Sequence, residues 1–254
     1  MRKIALRIKY NGTNYHGWQR QANDITVQQV LEEALAVTCG TDIRTVGCGR
    51  TDAGVHAWRY CVSFESDTKI PLDRLPLALN ARLPADIAVA AAVAAPDDFN
   101  AILSCVKKEY TYQILNTRIR DPFLAHTAYF YPQRLDHDRM ERAAAAFVGT
   151  HDFAAVRSVG TQTKTTVRTV HYFDVERDGD ILRLRVCADG FLYNMARAMV
   201  GTLLYVSEGK IEPEDIPGLL QKADRRLTGP TAPPQGLAMS RIWYDGIVGE
   251  MMDK

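Results

Sequence analysis

Between residues 3 and 10 the chain reads KIALRIKY, and apolar and polar positions alternate. Ile4, Leu6, Ile8 and Tyr10 fall on one side, and Lys3, Ala5, Arg7 and Lys9 on the other. A period of two sends successive side chains to opposite faces, which predicts a half-buried strand with a basic outer face. After the turn NGTN the period lengthens. In TVQQVLEEALAVTCG, residues Val27, Val30, Leu31, Ala34 and Leu35 form one helical stripe, Thr26 and Gln29 have capping-box spacing, and Gly40 supplies a stop. WRYCVSFE predicts a second strand, PLDRLPLALNARLP a helix bounded by prolines, and DIAVAAAVAA a strand or an extended connection.

The second half mixes elements in the same way. KEYTYQIL alternates as a strand, and DHDRMERAAAAFVG reads as a capped helix closed by Gly149. TVRTVHYFDVER and ILRLRVCADG, joined through DGD, predict a hairpin with a tight Asp-Gly turn. FLYNMARAMVGTLLYV predicts a helix behind that hairpin. With no low-complexity run and no long linker, the pattern predicts two α+β units, residues 1–105 and 106–254, sharing or abutting their sheets across a tight junction.

Composition narrows the class. A chain of 254 residues with 46% hydrophobic side chains can bury a sizeable core, and no stretch reaches the apolar length of a membrane span. MRKIALRIKYNG lacks the features of a secretory signal, so a cytoplasmic protein is expected. Five cysteines without a C-x-x-C pair fit reduced thiols, and the six histidines form no ligand ladder with them, so no metal is expected. The formal charge of +1 announces no polyanionic partner in bulk, and charge must be read locally.

Four places could carry chemistry. Arg2, Lys3, Arg7, Lys9 and Arg20 precede the first acid, Asp24, with Tyr10, Tyr15, His16 and Trp18 among them. Cations hold phosphates and flat rings stack on bases, so this is either an RNA-binding surface or a solvated basic face. Arg197 is the only charged side chain from Phe191 to Val206. It either snorkels to water or pairs with a carboxylate that it would hold ionised. In VGCGRTDAGVHA, glycines 47, 49 and 54 surround Arg50 and Asp52, and the acid is either an ordinary turn residue or one presented at the rim of a cleft. Tyr110 and Tyr112 share a strand face, as core rings or with one stacking on a base. No P-loop and no G-x-G-x-x-G are present, which leaves nucleotide hydrolysis and dinucleotide chemistry without support.

Taken in order, YNGTNYHGWQRQ, TVQQVLEEAL, GRTDAGVHA, KKEYTY, GTHDF, TVRTV, GFLYNMARAMVGTLL and APPQGLAMSRIWY resemble the tRNA pseudouridine synthase A family (TruA), with GRTDAGVHA the most diagnostic. The resemblance implies an isomerase that converts uridine to pseudouridine at positions 38, 39 and 40 of the tRNA anticodon stem-loop, without a cofactor. It implies that Asp52 is the catalytic aspartate, that Arg197 pairs with it, that Tyr110 stacks on the target base and that Arg50 contacts the RNA. It further implies a homodimer binding tRNA, and an α+β fold of two ferredoxin-like or RRM-like halves joined through a continuous antiparallel sheet, with the active-site cleft between them. Asn11 stands where the family commonly has aspartate, NAILSC replaces a frequent Ala-Arg-Phe-Ser-Ala run, and Lys108 replaces a frequent arginine. These departures bear on RNA affinity or the choice of uridine, not on Asp52, Tyr110 or Arg197. Two readings compete with the enzyme: a non-catalytic RNA-binding or RNA-folding protein of the same fold, and a nucleoside hydrolase, which would want a second carboxylate.

Overall fold

The computed structural model describes residues 1–158, 160 and 163–254. Along the chain run β1 (Arg2–Tyr10), α1 (Val27–Cys39), β2 (Val46–Gly47), β3 (His56–Ser66), α2 (Leu75–Asn80) and β4 (Ile87–Ala94). They are followed by β5 (Lys107–Leu115), β6 (Tyr129–Phe130), α3 (His137–Ala145), β7 (Gly149–Asp152), β8 (Val167–Asp178) and β9 (Ile181–Ala188). The chain continues through α4 (Met195–Ser207), α5 (Ile216–Lys222), β10 (Leu237–Trp243) and α6 (Gly246–Asp253). Two compact units result, one of Met1–Lys107 with Ala238–Lys254, the other of Lys108–Leu237. Both are α+β with mostly antiparallel pairing, as the element pattern requires.

In the first unit β1 lies between β4 and β3, both antiparallel to it, while β10 runs parallel to β3 with Ala238 opposite His56. Short β2 pairs with β3 on the stretch Ser63–Val62. The expected alternation along β1 is present, since Ile4, Leu6, Ile8 and Tyr10 are buried. The outer face, however, is not an open basic surface. Ala5 is fully buried, α6 packs on β1 and β4, and only Lys9 of that face is exposed. On that face Lys3 Nζ lies 2.7 Å from Glu65, and at the start of the strand Arg2 donates to the carbonyls of Thr68 and Ile70. Burial, with the neighbouring charge of Arg59, lowers the Arg7 pKa. Arg59 donates to the carbonyls of Met252 and Asp253, placing a cation at the negative end of α6.

Helix α1 forms where its stripe predicts. Thr26 Oγ1 accepts the N–H of Gln29 at 3.3 Å, and Gly40 closes the last turn at φ 76°. Helix α2 is shorter than the proline-bounded segment, because the Asn80 amide exchanges two hydrogen bonds with Val89 of β4 and ends the helix there.

In the second unit the order is β5, β9, β8, β7, with β6 parallel to β5 at its outer side. The predicted hairpin is β8–β9, turned at Gly179 with φ 58°. Asp136 caps α3 through the N–H of Arg139, and α3 packs on β8 and α4. Gly149 does not close that helix, which ends at Ala145; the glycine begins β7 with φ 114°. Helix α4 starts at Met195, four residues later than its apolar run predicts, because Asn194 takes a left-handed conformation at φ 60°.

Candidate active site

Asp52 sits in the connection from β2 to β3, and that connection is gripped by the segment after β1. Val55 donates to the Asp52 carbonyl at 3.1 Å, a turn whose third residue, Gly54, has φ 77°. Only glycine takes such a position without strain. Gly17 and Gly12 allow the two backbones to touch. A Cβ on Gly17 would stand 2.2 Å from the Thr51 carbonyl oxygen, and one on Gly12 would stand 2.0 Å from that of Val55. Trp18 N–H donates to the Thr51 carbonyl and Gly54 N–H to that of Tyr15. The Gly12 N–H also donates to His56 Nδ1 at 2.9 Å, which fixes the imidazole acceptor at the start of β3.

Side chains complete the grip. The Tyr10 and Thr51 hydroxyls are 2.9 Å apart, and Tyr60 donates to the Gly49 carbonyl. Tyr10, Trp18 and Tyr60 pack ring on ring, with the last two centroids 4.4 Å apart. Gly47 lies against Trp18 and Tyr60, where a Cβ would come within 2.5 Å of either. Asp52 itself is half-buried, and Arg50 is exposed. The loop thus offers one acid on a backbone fixed from two sides.

This geometry reassigns the amino-terminal aromatics. Tyr10, Tyr15 and Trp18 are buried and hold the loop, so they are not rings on an open RNA-binding surface. The Tyr15 hydroxyl donates to Asp86 at 2.6 Å. Asn11, the departure from the family's aspartate, accepts from the N–H and hydroxyl of Thr13, a task either residue performs with the same oxygen.

In the second unit Arg197 projects from the first turn of α4. Its Nε donates to the Ala232 carbonyl at 2.7 Å and its Nη1 to Asn194 Oδ1 at 2.9 Å. The Asn194 amide in turn donates to Ser158 Oγ at 2.9 Å. Two acceptors therefore orient the guanidinium, and it does not simply snorkel. The segment carrying Ala232 is pressed onto α4: a Cβ on Gly201 would stand 1.6 Å from the Pro230 carbonyl oxygen, and Gly229 N–H donates to Thr202. Arg225 donates to Thr228, Gly229 and Thr231 and ties the segment from its other side; burial lowers its pKa.

Tyr110 and Tyr112 do share a face of β5. Tyr112 is a core ring packed against Gly236, and the Tyr112 hydroxyl donates to the Pro233 carbonyl at 2.8 Å. Tyr110 is buried edge-on against Phe191, with centroids 4.9 Å apart. Ala232 and Pro233 are adjacent, so one segment bridges Arg197 and the tyrosine face of β5. The sequence reading missed Thr51, Gly17, Asn194 and Ala232. The only signal for Asn194 was a polar residue beside Arg197 in an apolar run.

Among the described residues, no group of three or more His, Cys, Asp or Glu side chains is placed to hold a metal ion. No helix of the described chain is long and apolar enough to cross a membrane.

The family model described as tRNA pseudouridine synthase matches residues 7–102 and 143–245. The proteins called tRNA pseudouridine synthase A from Thermoanaerobacter sp. (strain X514) and Caldicellulosiruptor bescii are 42% and 43% identical over 96% of this chain and 100% of theirs. That of Geobacter sp. (strain M21) is 45% identical over 96% of this chain and 99% of its own. Among solved structures, an archaeal box H/ACA sRNP Nop10-Cbf5 complex aligns with 80% of this chain and 42% of that chain, at 13% identity and a TM-score of 0.37, a distant likeness. The matches favour an isomerase acting on tRNA uridine over a non-catalytic RNA-binding protein. An acid on a doubly gripped loop and an oriented arginine, in a chain matched over nearly its full length, lead to one conclusion: the chain belongs to the tRNA pseudouridine synthase family.

Proposed function

We propose that this chain isomerises uridine to pseudouridine at positions 38, 39 and 40 of the tRNA anticodon stem-loop, in the cytoplasm and as a homodimer. Asp52 is the reacting acid, Arg197 its ion-pair partner, Tyr110 the platform for the target base and Arg50 an RNA contact beside it. The observation that carries this reading is the fixed Asp52 loop, because a single carboxylate on a backbone clamped by Gly12, Gly17 and Trp18 is a preorganised group.

The chemistry balances without a cofactor. The uridine leaves the stack, the bond between C1′ and N1 breaks, the uracil turns, and C5 bonds to C1′. C5 loses its proton and N1 gains one, so the product is an isomer of the substrate. Asp52 serves with an ionised oxygen, attacking the sugar or assisting removal of a proton from it. Arg197 supports either role by placing a guanidinium with two of its N–H groups already directed by Ala232 and Asn194.

The test is pseudouridine mapping after incubation of the purified chain with an unmodified tRNA transcript, alongside a solution mass. Modification at positions 38 to 40 and a mass twice the chain's 28.4 kDa are expected. Modification confined to another region of the tRNA would refute the site assignment, and a monomer mass would refute the dimer.

A further inference from the structure

We propose that Arg20 and Arg44, held on the buried carboxylate of Glu32, form a clamp for a backbone phosphate of the tRNA beside the Asp52 loop. Glu32 is 4% exposed and lies on α1. It accepts the Thr45 N–H at 2.9 Å, the Thr45 hydroxyl at 3.1 Å and the Gln28 amide at 3.2 Å. Nη1 of Arg20 and Nη1 of Arg44 each lie 3.3 Å from the same oxygen, Oε2. Two guanidiniums that would repel one another are thereby fixed side by side.

One carboxylate does not neutralise two guanidiniums, and the trio keeps an excess positive charge. The side chains of Arg20 and Arg44 are 41% and 80% exposed, so their remaining N–H donors face solvent. A guanidinium has five such donors in a planar fork that matches phosphate oxygens. The nearby acids do not fill the clamp: Glu33 accepts from Gln29, Asp24 lies 3.5 Å from His16, and Asp42 is exposed two residues before Arg44.

Folding does not account for the second arginine. Glu32 and Gln28 already tie α1 to Thr45 through its N–H, hydroxyl and carbonyl, and Gln28 already holds the Arg20 N–H at 3.0 Å. Arg20, the less exposed of the two, already balances the buried carboxylate; a second guanidinium that is 80% exposed adds little to that, while ordering its long side chain has an entropic cost. Their place in the chain gives them a use. Arg20 follows Gly17 and Trp18, which touch the Thr51 carbonyl, and Arg44 precedes β2, whose end opens the Asp52 loop. The two segments that bracket the acid therefore each carry one arm of the clamp, and the family's substrate is a polyanion.

The test is titration of an unmodified tRNA transcript with wild type, Arg44→Ala, Arg44→Lys and Arg20→Ala at a series of salt concentrations, with thermal melting of each. Arg44→Ala should bind roughly 5-fold more weakly, the worth of one solvent-exposed ionic contact, and reduce the magnitude of the slope of log affinity against log salt by about 0.7 to 0.9. Arg44→Lys should recover part of the affinity and most of the slope, and melting of Arg44→Ala should match wild type. Affinity and salt slope equal to wild type in Arg44→Ala would overturn the clamp. So would weaker binding with an unchanged slope, which would trace the loss to structure rather than to phosphate.

Discussion

At the scale of single residues, the Asp52 loop is held by contacts that permit no extra atom. Gly17 has φ 81° and would bring a Cβ to 2.2 Å from the Thr51 carbonyl oxygen. Gly17→Ala therefore both strains its own backbone and pushes the Asp52 loop, with an expected destabilisation of about 1 to 3 kcal/mol. Because a displacement of about 1 Å at a reacting group costs on the order of 100-fold in rate, kcat should fall by about that factor while the KM for tRNA changes little. Steady-state kinetics on a tRNA transcript, with melting of the same preparation, checks this. A variant that melts earlier yet keeps wild-type kcat would show that the grip of residues 12–18 stabilises the fold without positioning the acid. Tyr10 makes a smaller contribution through its hydroxyl contact with Thr51, a hydrogen bond worth about 1 kcal/mol.

At the scale of elements, what the sequence predicts well is what local periodicity and capping control. Strand β1, helix α1 between Thr26 and Gly40, and the hairpin turned at Gly179 lie where pattern and turn residues place them. The misreadings have non-local causes. Phe191 to Asn194 look helical by composition, but Asn194 turns left-handed, which sets Phe191 against Tyr110 and its own amide against Arg197. The outer face of β1, read as an RNA-binding surface or a solvated basic face, is partly covered by α6, from the other end of the chain. The parallel pairing of β10 on β3 leaves no local trace, since Ala238 and His56 are far apart in sequence. The diagnostic motif pointed to Asp52, but the close approach of Gly12 and Gly17 to its loop is a tertiary fact.

The crossing of α4 with the segment at Pro230 offers a test whose sign is informative. Gly201 lies inside a helix, where propensity alone predicts that alanine stabilises by about 1 kcal/mol. Here a Cβ would meet the Pro230 carbonyl oxygen at 1.6 Å, so Gly201→Ala should instead destabilise, by about 1 to 3 kcal/mol. Because Ala232, two residues on, directs Arg197, activity per folded molecule should fall as well. Denaturant midpoints and kcat measured together decide it. Stabilisation by the substitution would show that the segment yields easily and does not orient the arginine.

At the scale of the whole molecule, the proposed chemistry is divided between two compact units. Asp52 and Arg50 belong to the first, Tyr110 and Arg197 to the second, and the chain passes from one unit to the other twice, after Lys107 and after Leu237. The near-neutral total charge is compatible with an RNA substrate because cations are used locally. Many are spent inside the fold, as Arg2, Arg59 and Arg225 are on carbonyls, while Arg50 is exposed beside the acid. The claim on which all of this depends is that one carboxylate does the chemistry. Its most direct test is single-turnover conversion of an unmodified tRNA transcript by Asp52→Asn, with tRNA binding and melting measured on the same protein. The variant should fold, bind tRNA near wild-type strength and form no pseudouridine; pseudouridine formed by it at the wild-type rate would rule out Asp52 as the reacting acid.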